Sequence, residues 1–320
     1  MLVRHNHNFN NGILFVFKMV KLLLRKGIEE MKSMLSLYSL KKQARELVYG
    51  ISKKDILLIA LFPVILFLIM LLPSIIRDNL RLDIKSPELW QYLTQSFVHN
   101  GWSHLWRNLS FYLLSSIIGL LLANWCKEKI KFFRLFLFVV FTLPILSSII
   151  QVLYYPILLN WLPNLQYSQG SSGIVSALTG FVPIFWAIYF NKKNAKINFD
   201  IRIFLFLILY ITLLFVSIYG QSFSYIFLFV AFLLVIFLFL LLSNFKNIWI
   251  EMKNETETNL LKAFILSISF LFFIFSPIII FPSVTKMFDG GTFTDFLMHY
   301  IGICYGIIVS GFYFIFIYKK

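Results

Sequence analysis

Eight stretches of the chain stay apolar over about the 20 residues that a helix needs to cross a bilayer: 56–76, 103–123, 135–155, 172–190, 203–219, 223–243, 261–281 and 296–317. Nothing in hydrocarbon can satisfy stray backbone N–H and C=O groups, so only helices or closed barrels can span it. These runs lack the alternating polar face of barrel strands. The predicted fold is therefore all-α, a polytopic membrane helical bundle of about eight transmembrane helices. A chain that is 59% hydrophobic and only 13% charged is far from an ordinary soluble domain.

The formal charge of +15 raises nucleic acid as a partner, but the placement of the basic residues excludes it. Eleven Lys and Arg lie between Arg4 and Lys54, and others fill alternate loops: Lys127, Lys129, Lys131 and Arg134, then Lys192, Lys193, Lys196 and Arg202. The intervening loops carry only Arg77, Arg81, Lys85 and Lys286. This is the positive-inside pattern, and it places both termini in the cytoplasm of a multi-pass cell-membrane protein, with the bilayer itself as partner. Residues 1–54 read as a basic cytoplasmic segment, interfacial or disordered. Within it Leu14–Lys26 is too short to span and suits anionic headgroups. Cys126 and Cys304 are isolated and read as packing residues, and no cofactor or metal site is expected.

Polar residues inside apolar runs are costly and mark function or helix–helix contact. Three clusters occur: His99 to Asn108, Gly170-Ser171-Ser172-Gly173, and His299 to Gly306. His104 and Asn108, four residues apart, share one helix face and both donate hydrogen bonds. They serve either as glue between helices or as donors to an anion. Ser172 lies where a loop becomes a helix, beside unpaired N–H groups, a position that fits a plain N-cap or a nucleophile. Gly302, Gly306 and Ser310 form a small-residue stripe, matched by Ser172, Ser176 and Gly180. If the stripes face one another, Ser172 and His299 come within reach at their upper ends, the geometry of an activated serine.

These three clusters, in this order, resemble the rhomboid family of intramembrane serine proteases. His99…His104…Asn108 resembles the family's HxxxxHxxxN helix, Gly170-Ser-Ser172-Gly173 its GxSG helix, and His299-xx-Gly302-xxx-Gly306 its HxxGxxxG helix. The resemblance implies a Ser-His dyad with Ser172 as nucleophile and His299 as base. It further implies His104 and Asn108 as oxyanion donors, structural roles for His99, Gly170, Gly173, Gly302 and Gly306, and single-span membrane proteins as substrates. The alternative it leaves open is a catalytically silent relative that binds transmembrane clients.

The chain departs from the family pattern in three places. Gln91 stands where many members have Arg, and Ser176 replaces an aromatic residue that stacks on the catalytic His. Ser172 and His299 are 127 residues apart, which implies two extra helices inserted within 191–260 of a membrane domain spanning 55–320. Pro282–Thr294 is expected to cap the site, and 261–281, with Pro277, to form a lateral gate, with 203–219 as the rival gate.

Overall fold

The computed structural model describes residues 37–161, 167–194, 201–219, 231, 247–281, 288–289, 292–293 and 296–317. Helix α1 (Leu37–Val48) is followed by α2 (Lys53–Met70), the short α3 (Ser74–Asn79) and β1 (Leu82–Asp83). The turn α4 (Gln91–Thr94) and a 3-10 turn (Gln95–Phe97) lead into α5 (Trp102–Trp125) and α6 (Lys129–Trp161). Then come β2 (Tyr167–Ser168), α7 (Ser172–Lys193), α8 (Ile201–Tyr219), α9 (247–258), α10 (Leu260–Ile280), the strands β3 (Phe288–Asp289) and β4 (Thr292–Phe293), and α11 (Phe296–Phe312). The fold is the all-α polytopic bundle expected. Five of these helices are long and apolar enough to cross a membrane: α5, α6, α7, α10 and α11.

The apolar runs map onto α2, α5, α6, α7, α8, α10 and α11, while 223–243, apart from Ala231, lies outside the described residues. The first run ends early. Pro73 has no N–H to continue the helix, so α2 stops at Met70 and α3 starts at Ser74. At its other end α2 is fixed by a reciprocal cap: Ser52 Oγ accepts from the Asp55 N–H, and Asp55 Oδ2 accepts from the Ser52 N–H at 2.6 Å. Residues 37–48 of the basic segment form α1, docked on α10 through Gln43 Oε1, which accepts from the Leu261 N–H at 3.2 Å, and by Asn259 Nδ2 donating to Glu46. Residues 1–36 lie outside the described residues.

Helix α7 is the axis of the bundle. It is buried along nearly all its length and touches α5, α6, α10 and, most extensively, α11. Small polar pairs and rings set these contacts. Ser115 on α5 and Thr179 on α7 share a 2.9 Å hydrogen bond, and Trp186 on α7 donates to the Leu266 carbonyl of α10 at 3.1 Å. Helix α8 lies against α11, where Thr212 meets the Tyr300 hydroxyl at 3.0 Å and Phe215 packs on the same ring. Helix α10 also approaches α5, with Phe111 and Phe272 rings 6.4 Å apart.

The α7–α11 seam is close because it is made of residues with almost no side chain. A Cβ on Gly306 would run into the Ala177 backbone, and one on Gly302 would sit 2.9 Å from the Ser176 Cβ. A Cβ on Gly180 would meet the Ile303 carbonyl at 2.5 Å. The α7 side of the seam is thus Gly173, Ser176, Ala177 and Gly180, spaced as 3.6 residues per turn demands. Ser310, expected in the facing stripe, turns its hydroxyl onto its own helix and donates to the Gly306 carbonyl at 2.6 Å.

Candidate active site

Three elements converge at one end of the bundle: the start of α5, the start of α7 and the start of α11. The loop before α5 is tied down by Gln91, whose Oε1 accepts from the backbone N–H groups of Asp83 and Glu88, each at 3.1 Å. Its Nε2 donates to the Asn79 carbonyl. Thr94 donates to the Leu80 carbonyl at 2.9 Å. The Gln95 carbonyl accepts from the Gly170 N–H at 2.9 Å, and β1 pairs antiparallel with β2, so this loop and the approach to α7 form one frame.

Gly170 enters α7 at a φ of +122°, a conformation that L side chains avoid. A Cβ there would also stand 3.2 Å from His104 Cε1, so the residue must be glycine for the imidazole to lie where it does. His104 in turn meets His99 edge to face, with ring centroids 5.1 Å apart.

The two adjacent serines have different surroundings. Ser171 is fully buried, and its hydroxyl lies 3.1 Å from His99 Nε2. The same nitrogen lies 3.1 Å from Asn108 Nδ2. Burial, aided by the charge repulsion of His104, pushes the His99 imidazole down to about 3, so it is neutral and its Nε2 can accept these bonds. One N–H of Asn108 is engaged there, which leaves the other to donate elsewhere. Ser172 instead lines a cavity of about 30 Å³ together with His104, Gln95, Ser147, Gln151 and Met298. That is room for a water molecule among several polar partners.

His299 projects from the first turn of α11 and is buried. Its Nδ1 lies 3.2 Å from Ser176 Oγ, one helical turn below Ser172. The Met298 carbonyl stands 3.8 Å from where a Gly173 Cβ would be, so the first turns of α7 and α11 are in contact. Of the residues predicted from sequence, Ser172 and His104 line the cavity, Gly170 and Gly173 sit against it, and Gly302 and Gly306 form the seam below. His99 and Asn108 form a buried pair with Ser171. Sequence reasoning missed Ser147 and Gln151, although polar side chains inside the run 135–155 were the same kind of signal that singled out His104 and Asn108. Of the expected cap Pro282–Thr294, only β3 and β4 fall among the described residues, where Phe288 pairs with Phe293 and Asp289 with Thr292.

The family model for the Rhomboid domain matches residues 86–244. The match takes in His99, His104, Asn108 and Ser172 and ends before α11. No curated protein and no solved structure matches the chain. With the domain match lying over an apolar helical bundle, the chain is a multi-pass membrane protein that belongs to the rhomboid family.

Proposed function

We propose that this protein is an intramembrane serine endopeptidase that cuts single-span membrane proteins near the outer face of the cell membrane, with both its termini in the cytoplasm. Ser172 is the nucleophile. As it attacks the scissile carbonyl, its O–H proton passes to His299 Nε2, and the same imidazolium later protonates the leaving amine. The tetrahedral oxyanion is held by His104 and by the second N–H of Asn108, donors supported from behind by His99. Water in the polar cavity beside Ser172 then hydrolyses the acyl-enzyme. The observation that carries this reading is the contact of the first turns of α7 and α11, with Ser172 opening onto a polar cavity and Ser171 buried away from it.

The second reading, a silent client-binding relative, draws on one observation. His299 has a hydrogen bond to Ser176, and the hydroxyl of Ser172 has none among the described residues. Cleavage of a model single-span substrate by the purified, reconstituted protein separates the two. Ser172→Ala and His299→Ala are each expected to abolish cutting, to a similar extent because the two residues act as a unit, with thermal stability unchanged. Ser171→Ala is expected to keep cutting. Cleavage by Ser172→Ala at the wild-type rate rejects the dyad, and a wild type inert toward many substrates favours client binding.

A further inference from the structure

Ser176 stands four residues after Ser172 on α7, so both hydroxyls project along one side of the helix, one turn apart. It is fully buried, and its Oγ meets His299 Nδ1 at 3.2 Å. The approach depends on Gly302, one turn along α11 from His299, where a Cβ would crowd the Ser176 Cβ at 2.9 Å. The seam is therefore built closely enough for a side chain as short as serine to reach the imidazole.

We propose that Ser176 is a positioning residue that fixes the ring orientation and tautomer of His299, a role that rests on the dyad reading above. Neutral imidazole has one N–H and one lone pair. When Nδ1–H donates to Ser176 Oγ, the lone pair is on Nε2, the nitrogen that must accept the Ser172 proton. The opposite tautomer presents N–H to Ser172 and cannot act as base. During attack the proton moves from Ser172 Oγ to Nε2, while Nδ1 keeps its proton and its bond to Ser176. In soluble serine proteases a carboxylate holds the same nitrogen. At this depth an ionised carboxylate is costly, and a hydroxyl does the orienting without buried charge. The place where an aromatic ring would stack on the imidazole is thus taken by a hydrogen bond to its edge.

The test uses the full-length protein reconstituted with a single-span substrate, and a fluorophosphonate probe to report reactivity of Ser172. Ser176→Ala removes only one oxygen and keeps the fold, as its thermal unfolding should show. It is expected to lower kcat at least tenfold with KM unchanged, and to slow fluorophosphonate labelling by a similar factor. Ser176→Cys, which keeps the shape and weakens the acceptor, should fall between. In 15N spectra of histidine-labelled protein, His299 should be the Nδ1–H tautomer in wild type and a mixture of tautomers in Ser176→Ala. A wild type that cuts and labels while Ser176→Ala matches it, or a wild-type spectrum showing Nε2–H, overturns the positioning role alone. A wild type that neither cuts nor labels overturns the dyad and the positioning role together.

Discussion

The two ends of the bundle are held together in opposite ways. At the site end, α7 and α11 meet backbone to backbone through Gly173, Gly180, Gly302 and Gly306, and the side-chain hydrogen bonds there join hydroxyls, an amide and imidazoles. At the lysine-rich end, buried carboxylates do the joining. Asp55 pairs with Lys129 at 2.7 Å, Glu128 with Lys131 at 2.6 Å and with Lys192, and Glu255 with Lys193 at 2.8 Å and Lys262 at 3.5 Å. Tyr189 donates to Glu255, and the Lys262 ammonium lies 4.8 Å from the centre of the Tyr189 ring. The difference follows from what each end must do. The proposed dyad needs two helices close and correctly registered, which small residues permit and long charged ones do not. Simple cohesion near the headgroups can use ion pairs, because water and lipid there offset their desolvation.

Adding one methyl group to the seam is the harshest test of this contrast. Gly306→Ala drives a Cβ into the Ala177 backbone, so α11 must shift, at about 1–3 kcal/mol of stability or more. Proteolysis should vanish and the unfolding temperature in detergent should fall. Gly101→Ala is the control, since nothing lies within 4 Å of its Cβ position, and it should behave as wild type. If Gly306→Ala also behaves as wild type, the seam is looser than described.

At the opposite end the expected effect is smaller and confined to stability. Burial alone would raise the Glu255 carboxyl, but the bonds from Lys193 and Tyr189 and the charge of Lys262 hold it below its ordinary 4.5. A depressed carboxylate contributes stability that is complete above that value and is lost as pH falls through the folded-state value. Glu255→Gln should cost ~1–2 kcal/mol at neutral pH, allowing for the half-exposed Lys193, and should leave kcat unchanged. The variant's stability should also change less than that of wild type below pH 4.5. A fall in kcat at constant stability would mean that the two ends are coupled.

Gln91 is expected to give the smallest effect. Replacing it with Ala strips three backbone groups of their partner, but Asn79 and Glu88 are exposed and water can replace it there, which leaves a total of roughly 1 kcal/mol, mostly from the Asp83 N–H. The loop ahead of α5 should loosen, seen as faster amide exchange at Asp83 and Glu88, while cleavage of a membrane substrate persists. Unchanged exchange would show that β1–β2 pairing holds the loop without it.

Much of this was legible from sequence because membranes make sequence patterns stark. Seven apolar runs became helices, and the small residues at 173, 180, 302 and 306 marked a pair of helices that touch backbone to backbone. The ends of helices were less legible. The charged first turn of α6, from Lys129, lies outside any hydropathy run, and Pro73 cuts the first run short. What sequence could not disclose was partnership across distance. Ser176 read as a missing aromatic because nothing local says that its hydroxyl meets an imidazole 123 residues later. Gln91 likewise read as a missing arginine, whereas its amide supplies both acceptor and donor to the frame. The division of labour between Ser171 and Ser172 rests on His99, a contact between residues 72 positions apart.

The long interval between Ser176 and His299 also sets an order of events during biogenesis. Closing a longer loop adds little to the free energy of the finished fold, about 0.6 kcal/mol per doubling. Time is affected more. At 5–20 residues per second, roughly 6–25 s pass between synthesis of the α7 hydroxyls and of the imidazole that completes the proposed dyad with Ser172. Through that window the nascent chain already holds its serine in the bilayer among other newly inserted helices, and it is inert toward them. On the proposed mechanism, reactivity begins only when α11 docks, which makes α11 the safety catch of the molecule.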